Sequence, residues 1–111
     1  LHLGKYDAAI DYLKDFKPRG EVLPIMKYGA LGDAYAELND LEQAMAYYQR
    51  AVKAGELEPL VAYYLKKIGL LHEYNGNVEE ARKTYERIKK EYPTSPEGRD
   101  IEKYLARVAA G

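Results

Sequence analysis

A pattern of residues that occurs twice along the chain constrains its fold more than any other feature. The first copy reads Tyr-x2-Leu-Gly-x2-Tyr over 28–35 and then Ala-x3-Tyr-x2-Ala over 44–51. The second copy reads Leu-x2-Ile-Gly-x2-His over 65–72 and then Ala-x3-Tyr-x2-Ile over 81–88. Spacings of three and four residues are typical of one side of a helix. Each copy therefore predicts two helices, and its small residues, glycine in the first and alanine in the second, would allow the pair to approach closely.

Helix start and stop signals divide the chain into six predicted helices joined by short loops. Asp40 with Gln43 and Asn77 with Glu80 form capping-box patterns, and Ser95 precedes Pro96 as a further start signal. No stretch alternates polar and apolar residues with a period of two, so no strand is expected. The predicted fold class is all-α, and the helices are expected at about 4–16, 24–38, 40–54, 58–74, 77–92 and 96–110.

The duplicated pattern resembles the tetratricopeptide repeat, whose signature is Trp-x2-Leu-Gly-x2-Tyr, then Ala-x3-Phe, then Pro. The resemblance implies a right-handed α-solenoid of antiparallel helix pairs, with the whole chain, 1–111, as one domain. His72 replaces a tyrosine of the signature, and Leu105 replaces a glycine, which favours a terminal cap there. The predicted organisation is the second half of a truncated repeat at 1–20, full repeats at 25–58 and 62–94, and a capping helix at 96–110.

The same resemblance implies a binding surface, because in this family the first helices of successive repeats line a concave groove that takes peptides or partner helices. An apolar centre with a charged rim is typical of interfaces. Asp33 would repel a carboxylate ligand, so a chaperone-type carboxylate clamp is not expected. The implied function is a non-enzymatic scaffold for a protein or peptide partner, and the groove is predicted to contain Met26, Gly29, Ala30, Asp33, Glu37, Tyr63, Lys66, Lys67, Leu70 and Glu73.

A structural role is the alternative to groove binding. The chain would then be a segment of a longer superhelix or of a homo-oligomer, with no ligand of its own. The first predicted helix supports this alternative. Its apolar residues Tyr6, Ile10, Leu13 and Phe16 need a partner that the sequence does not contain, although one side of the helix is expected to pack on the helix with Tyr28. Homo-oligomerisation is expected to use that helix. The segment 92–97 resembles junctions in repeat proteins of the bacterial cell envelope, so an envelope location through an upstream anchor and a cytoplasmic location both stay open.

Composition argues against enzymatic, metal-binding and nucleic-acid-binding functions. The chain has no cysteine and two histidines, too few ligands for a typical zinc site, and His72 is expected to be a packing residue. No cofactor motif is present. The net charge of -1 provides no field that attracts nucleic acid or an anionic membrane. The twelve tyrosines are expected to fill the core without basic residues clustered on them.

Overall fold

The structure, a computed structural model, describes residues 3–15, 23–55 and 57–110. These residues form helices and no strand, which confirms the all-helical fold class. The chain divides into two compact units, which we call unit 1 (Leu1–Gly55) and unit 2 (Glu56–Gly111). No described helix is long and apolar enough to cross a membrane. The helices are α1 (Leu3–Asp15), α2 (Pro24–Glu37), α3 (Leu41–Ala54), α4 (Glu58–Tyr74), α5 (Val78–Glu91), α6 (Pro96–Arg99) and α7 (Ile101–Ala110).

The turns that end α2 and α4 have the same geometry. Asn39 (φ 60°) and Gly76 (φ 81°) adopt the left-handed conformation. The next amide in each turn then donates back to the helix, from Asp40 to the Tyr35 carbonyl at 2.9 Å and from Asn77 to the His72 carbonyl at 2.7 Å. Such hydrogen bonds satisfy carbonyl groups at the end of a helix that have no donor within the helix. The two copies of the sequence pattern thus share their turn as well as their helices.

The two predicted capping boxes have different outcomes. Asp40 caps α3, because its Oδ1 accepts a hydrogen bond from the Gln43 amide at 3.2 Å. Asn77 precedes α5 but makes no side-chain capping bond, so that prediction was wrong. The negative Glu79 and Glu80 lie in the first turn of α5 instead, where the helix dipole favours them.

In unit 1, α2 packs along α3, and α1 packs on α2. Ala44 and Ala51 of α3 are fully buried, which allows the close approach that the sequence predicts. Ile10 of α1 is only 5% exposed and packs with Leu31 and Ala34 of α2. The expected packing of α1 on the helix with Tyr28 is confirmed. The partial exposure expected for Ile10 was wrong, because α2 covers that side chain. Phe16 lies outside the described residues.

In unit 2, α4 packs along α5, and α7 also packs on α5. The α5 residues Ala81, Tyr85 and Ile88 are fully buried. Ile101 and Val108 of α7 are buried as well, consistent with their helical spacing of seven residues. Burial of such side chains stabilises a fold by about 1.5–3 kcal/mol each.

The last predicted helix, 96–110, is interrupted at Asp100 and so was wrong as one continuous element. Ser95 caps α6 by accepting from the Gly98 amide at 2.9 Å, as its position before Pro96 predicts. At the end of α6 the backbone forms a tighter turn, in which the Asp100 amide donates to the Glu97 carbonyl three residues earlier. A new helix, α7, starts at Ile101.

Glycine makes the closest contact between the helices of each pair. A Cβ atom added to Gly32 would lie 2.5 Å from Cδ1 and Cε1 of Tyr48. One added to Gly69 would collide with the Tyr85 ring, with Cζ at 2.8 Å. Real Cβ atoms are not found at such distances from a ring, so each tyrosine occupies the volume that its partner glycine leaves empty.

Candidate functional site

The predicted groove residues belong to two helix faces, one in unit 1 and one in unit 2. Together, Met26, Gly29, Ala30, Asp33 and Glu37 form the α2 face. The α4 face consists of Tyr63, Lys66, Lys67, Leu70 and Glu73. Within each set the spacing of three or four residues places the side chains on one side of the helix.

The α2 face is open at its two ends. Met26 is 43% exposed and Glu37 is also exposed, whereas Ala30 is half-buried. Gly29 is buried. The exposed surface that this face offers to a partner is centred on Met26.

Asp33 contributes to the packing of its own repeat. Its Oδ1 accepts a hydrogen bond of 2.6 Å from the hydroxyl of Tyr48 on α3. A hydrogen bond from a buried phenol to a carboxylate offsets part of the cost of removing the hydroxyl from water. Asp33 therefore stabilises the helix pair as well as belonging to the α2 face.

The α4 face combines apolar and cationic groups. Leu70 is 38% exposed. The half-buried ring of Tyr63 has the ammonium groups of Lys66 and Lys67 at 5.8 and 4.8 Å from its centroid. A cation over a tyrosine ring is attracted by the quadrupole of the ring. The two lysines thus surround an aromatic surface next to an exposed leucine.

Glu73 is engaged within unit 2. Arg107 of α7 donates to it twice, from Nε to Oε1 at 2.7 Å and from Nη2 to Oε2 at 2.7 Å. The Tyr85 hydroxyl also donates to Oε2. The hydrogen bonds from Arg107 hold the pKa of Glu73 below its ordinary value, while burial and the nearby carboxylate raise the pKa of Tyr85. Glu73 consequently joins α4, α5 and α7.

Tyr74 is an exposed residue of α4 that the predicted groove omits. Its side chain is 74% exposed. It lies four residues after Leu70, so the two side chains are neighbours on the same side of α4. The sequence contained a signal for Tyr74. Gly69 follows Gly32 by 37 positions, and the residue 37 positions after Glu37 is Tyr74, not Glu73. Tyr74 therefore belongs to the α4 face.

Basic side chains lie on several tyrosine rings, which contradicts the expectation that they are not clustered there. In unit 2, Lys103 and Arg107 lie over Tyr104 at 5.2 and 5.0 Å from its centroid. Tyr104 in turn packs against Tyr85 with ring centroids 5.4 Å apart. The pairs within α4 and α7 are one, three or four residues apart, so the sequence carried a signal for them that the prediction did not use.

Three tyrosines of unit 1 stack in a row that we call the tyrosine ladder: Tyr28, Tyr47 and Tyr35. Tyr47 of α3 lies between the two α2 residues, with ring centroids 6.4 Å from Tyr28 and 5.5 Å from Tyr35. All three rings are half-buried against the cluster that contains Ile10. The ladder lies on the side of α2 opposite Met26 and Ala30, since residues 28 and 35 are about half a turn away from them.

His72 is half-buried, and its Nδ1 atom is enclosed without a hydrogen-bond partner. This location agrees with the packing role predicted for it. Among residues 3–15, 23–55 and 57–110, no group of three or more histidine, aspartate or glutamate side chains is arranged to hold a metal ion. His2 lies outside the described residues.

A family model described as tetratricopeptide repeat matches residues 30–96, which is 67 of the 111 residues. Neither the curated proteins nor the solved structures gave a match. The matched span contains most of α2, all of α3, α4 and α5, and the glycine–tyrosine contacts described above. Repeats of this kind commonly mediate protein–protein interactions and generally act as non-enzymatic scaffolds. The chain therefore belongs to the tetratricopeptide repeat family.

Proposed function

We propose that this chain is a non-enzymatic binding module that takes a peptide or helix of a partner protein on the α4 face, with the α2 face as a second contact surface. The family membership supports the general class of function. The particular surface is supported by the exposed side chains of α4. The alternative is that the chain is a structural segment without a ligand of its own. Selection of binding peptides distinguishes this alternative from the binding module.

The observation that carries the proposal is the exposure of Leu70 and Tyr74 side by side on α4. They are 38% and 74% exposed. Scattered single apolar residues are ordinary on protein surfaces. An adjacent leucine and tyrosine form a larger apolar patch, and burial of this patch by a partner would lower the free energy of the complex. Tyrosine is also enriched among residues that contribute most to binding.

The charge next to this patch favours a partner with acidic residues beside an apolar anchor. Lys66 and Lys67 contribute two positive charges to the α4 face. The negative charge of Glu73 is already paired with Arg107. A peptide carboxylate near the lysines would gain charge-assisted hydrogen bonds, while an apolar side chain of the same peptide contacts Leu70 and Tyr74.

Selection of peptides from a displayed library against the chain tests this assignment. Affinities of the selected peptides are then measured for the Leu70→Ser/Tyr74→Ser variant. The Tyr12→Ser/Leu57→Ser variant is the matched control, because it removes another exposed tyrosine and leucine. We expect the α4 variant to bind at least about tenfold more weakly, which corresponds to ~1.4 kcal/mol, and the control to bind as the parent does.

Equal weakening by the two variants would contradict the choice of the α4 face. Failure to select any peptide, together with concentration-dependent self-association in sedimentation measurements, would support the structural alternative instead. Far-ultraviolet circular dichroism of each variant verifies that helical content is kept, as expected for exposed positions.

A further inference from the structure

The tyrosine ladder carries positive charge at both ends. The guanidinium carbon of Arg50 lies 4.4 Å from the centroid of Tyr28 and 5.2 Å from that of Tyr47. The ammonium group of Lys14 lies 5.6 Å from the centroid of Tyr35 at the other end. These cations come from α3 and α1, whereas the outer rings come from α2. Three helices of unit 1 therefore build one cationic, aromatic surface.

The rings do not neutralise the cations that lie on them. An aromatic ring attracts a cation through its quadrupole but carries no net charge, so ring contacts leave the positive charges of Lys14 and Arg50 in place. Asp11 acts electrostatically on Lys14. The ladder therefore has a cation at each end, although the whole chain has a net charge of -1.

We propose that the tyrosine ladder with Lys14 and Arg50 is a second binding site, which takes an acidic, extended peptide segment of a partner protein. It is separate from the α2 face, because Tyr28 and Tyr35 lie on the side of α2 opposite Met26. Charge complementarity selects the occupant: carboxylates would meet the guanidinium and ammonium groups.

The hydroxyls of the ladder suit carboxylates as well. Twice in this chain a tyrosine hydroxyl donates to a carboxylate, from Tyr48 to Asp33 and from Tyr85 to Glu73. The Tyr28 hydroxyl already accepts from Arg50 Nη2 at 3.3 Å, which leaves its own hydrogen available to an acceptor. A carboxylate there would bind the hydroxyl and the guanidinium together.

The spacing of the rings favours an extended ligand. Adjacent ring centroids are 6.4 and 5.5 Å apart. In an extended chain, side chains on the same side recur about every 6.6 Å. Acidic residues at alternate positions of a peptide would therefore meet successive members of the ladder. Nucleic acid fits less well, because base stacking needs a bare ring face and these faces are occupied by neighbouring rings and cations.

The test measures fluorescence anisotropy of a labelled peptide of alternating glutamate and serine, at low ionic strength. The Lys14→Gln/Arg50→Gln variant removes one cation from each end of the ladder. The matched control is Lys5→Gln/Lys53→Gln, which removes two exposed cations from the same two helices. We expect about tenfold weaker binding or more for the ladder variant, and parent-like binding for the control, because charge-assisted hydrogen bonds are lost only at the ladder.

Three results would overturn this inference: the glutamate–serine peptide does not bind the parent, both double variants weaken it equally, or an oligothymidylate of similar length binds more tightly with the same dependence on Lys14 and Arg50. The Leu70→Ser/Tyr74→Ser variant separates this site from the α4 face. We expect it to bind the peptide as the parent does, and a marked loss would place the peptide on α4 and refute the ladder site.

Discussion

The hydroxyl of Tyr48 donates a hydrogen bond to Oδ1 of Asp33 at 2.6 Å and so joins α3 to α2. In the second repeat the equivalent tyrosine also donates to a carboxylate, but the acidic residue is a different one. There the Tyr85 hydroxyl donates to Glu73, one helical turn beyond the position equivalent to Asp33. In both repeats the tyrosine ring fills the space above a glycine, and a carboxylate on the glycine-bearing helix accepts from its hydroxyl. Packing and polar satisfaction are thus achieved by one residue pair in each repeat.

A double-mutant cycle on Tyr48→Phe and Asp33→Ala measures the first of these pairs. We expect a coupling energy of about 1 kcal/mol in urea denaturation, because a buried hydroxyl and a carboxylate lose their shared hydrogen bond in each single variant. The two single effects should therefore sum to more than the effect of the double variant. Strict additivity would show that the hydrogen bond contributes nothing to stability.

Alanine at Gly32 or Gly69 should destabilise the fold by about 1–3 kcal/mol, because the new methyl group overlaps a buried tyrosine ring. Gly4→Ala is the matched control, since no atom lies within 4 Å of a Cβ at that helical position. It should be neutral or stabilising by about 0.5–1 kcal/mol. The measurement is thermal unfolding followed by circular dichroism, and a parent-like melting temperature for Gly32→Ala would remove the packing role given to it.

The ion pair of Glu73 and Arg107 predicts a dependence of stability on pH. Because Arg107 lowers the pKa of Glu73 below its ordinary value of 4.5, the folded state favours the ionised carboxylate. This contribution is complete above the unfolded pKa and is lost as pH falls through the lower folded value. Glu73→Gln should cost about 1 kcal/mol at neutral pH, a modest figure because Arg107 is half exposed.

The difference between parent and Glu73→Gln should shrink as the pH is lowered from 6 towards 2, which denaturant titrations at several pH values would reveal. Glu102→Gln is a comparison variant, because its partner Lys89 and Glu102 itself are both largely exposed. It should have little effect at any of these pH values. A pH-independent effect of Glu73→Gln would contradict the role of its charge.

Most helix bounds could be predicted from the sequence because local chemistry determines them. Pro24, Asp40 and Ser95 lie at helix starts, and the turns after α2 and α4 follow from Asn39 and Gly76. The break in the last helix was missed, although Gly98, two residues before Asp100, has a low helix propensity. A Cβ on Gly98 would also collide with the Tyr92 carbonyl and approach Pro93 Cα to 2.8 Å.

The candidate sites were harder to predict for a related reason. The α4 face was assigned with Glu73 in place of Tyr74, although the interval of 37 positions between the repeats identifies the tyrosine. The role of Glu73 depends on Arg107, which is 34 residues away in sequence and lies on another helix. The cations of the tyrosine ladder likewise come from α1 and α3. Periodicity predicts which side of a helix is apolar, but it does not identify the partner that packs there.

The most direct test of the proposed function is the nuclear magnetic resonance footprint of a selected peptide. Amide chemical shifts of the labelled chain are recorded during titration with a peptide chosen for binding to it. The account predicts that the largest changes fall on α4 around Lys67, Leu70 and Tyr74. Changes confined to α5 and α7, with α4 unaffected, would contradict the assignment of the binding surface.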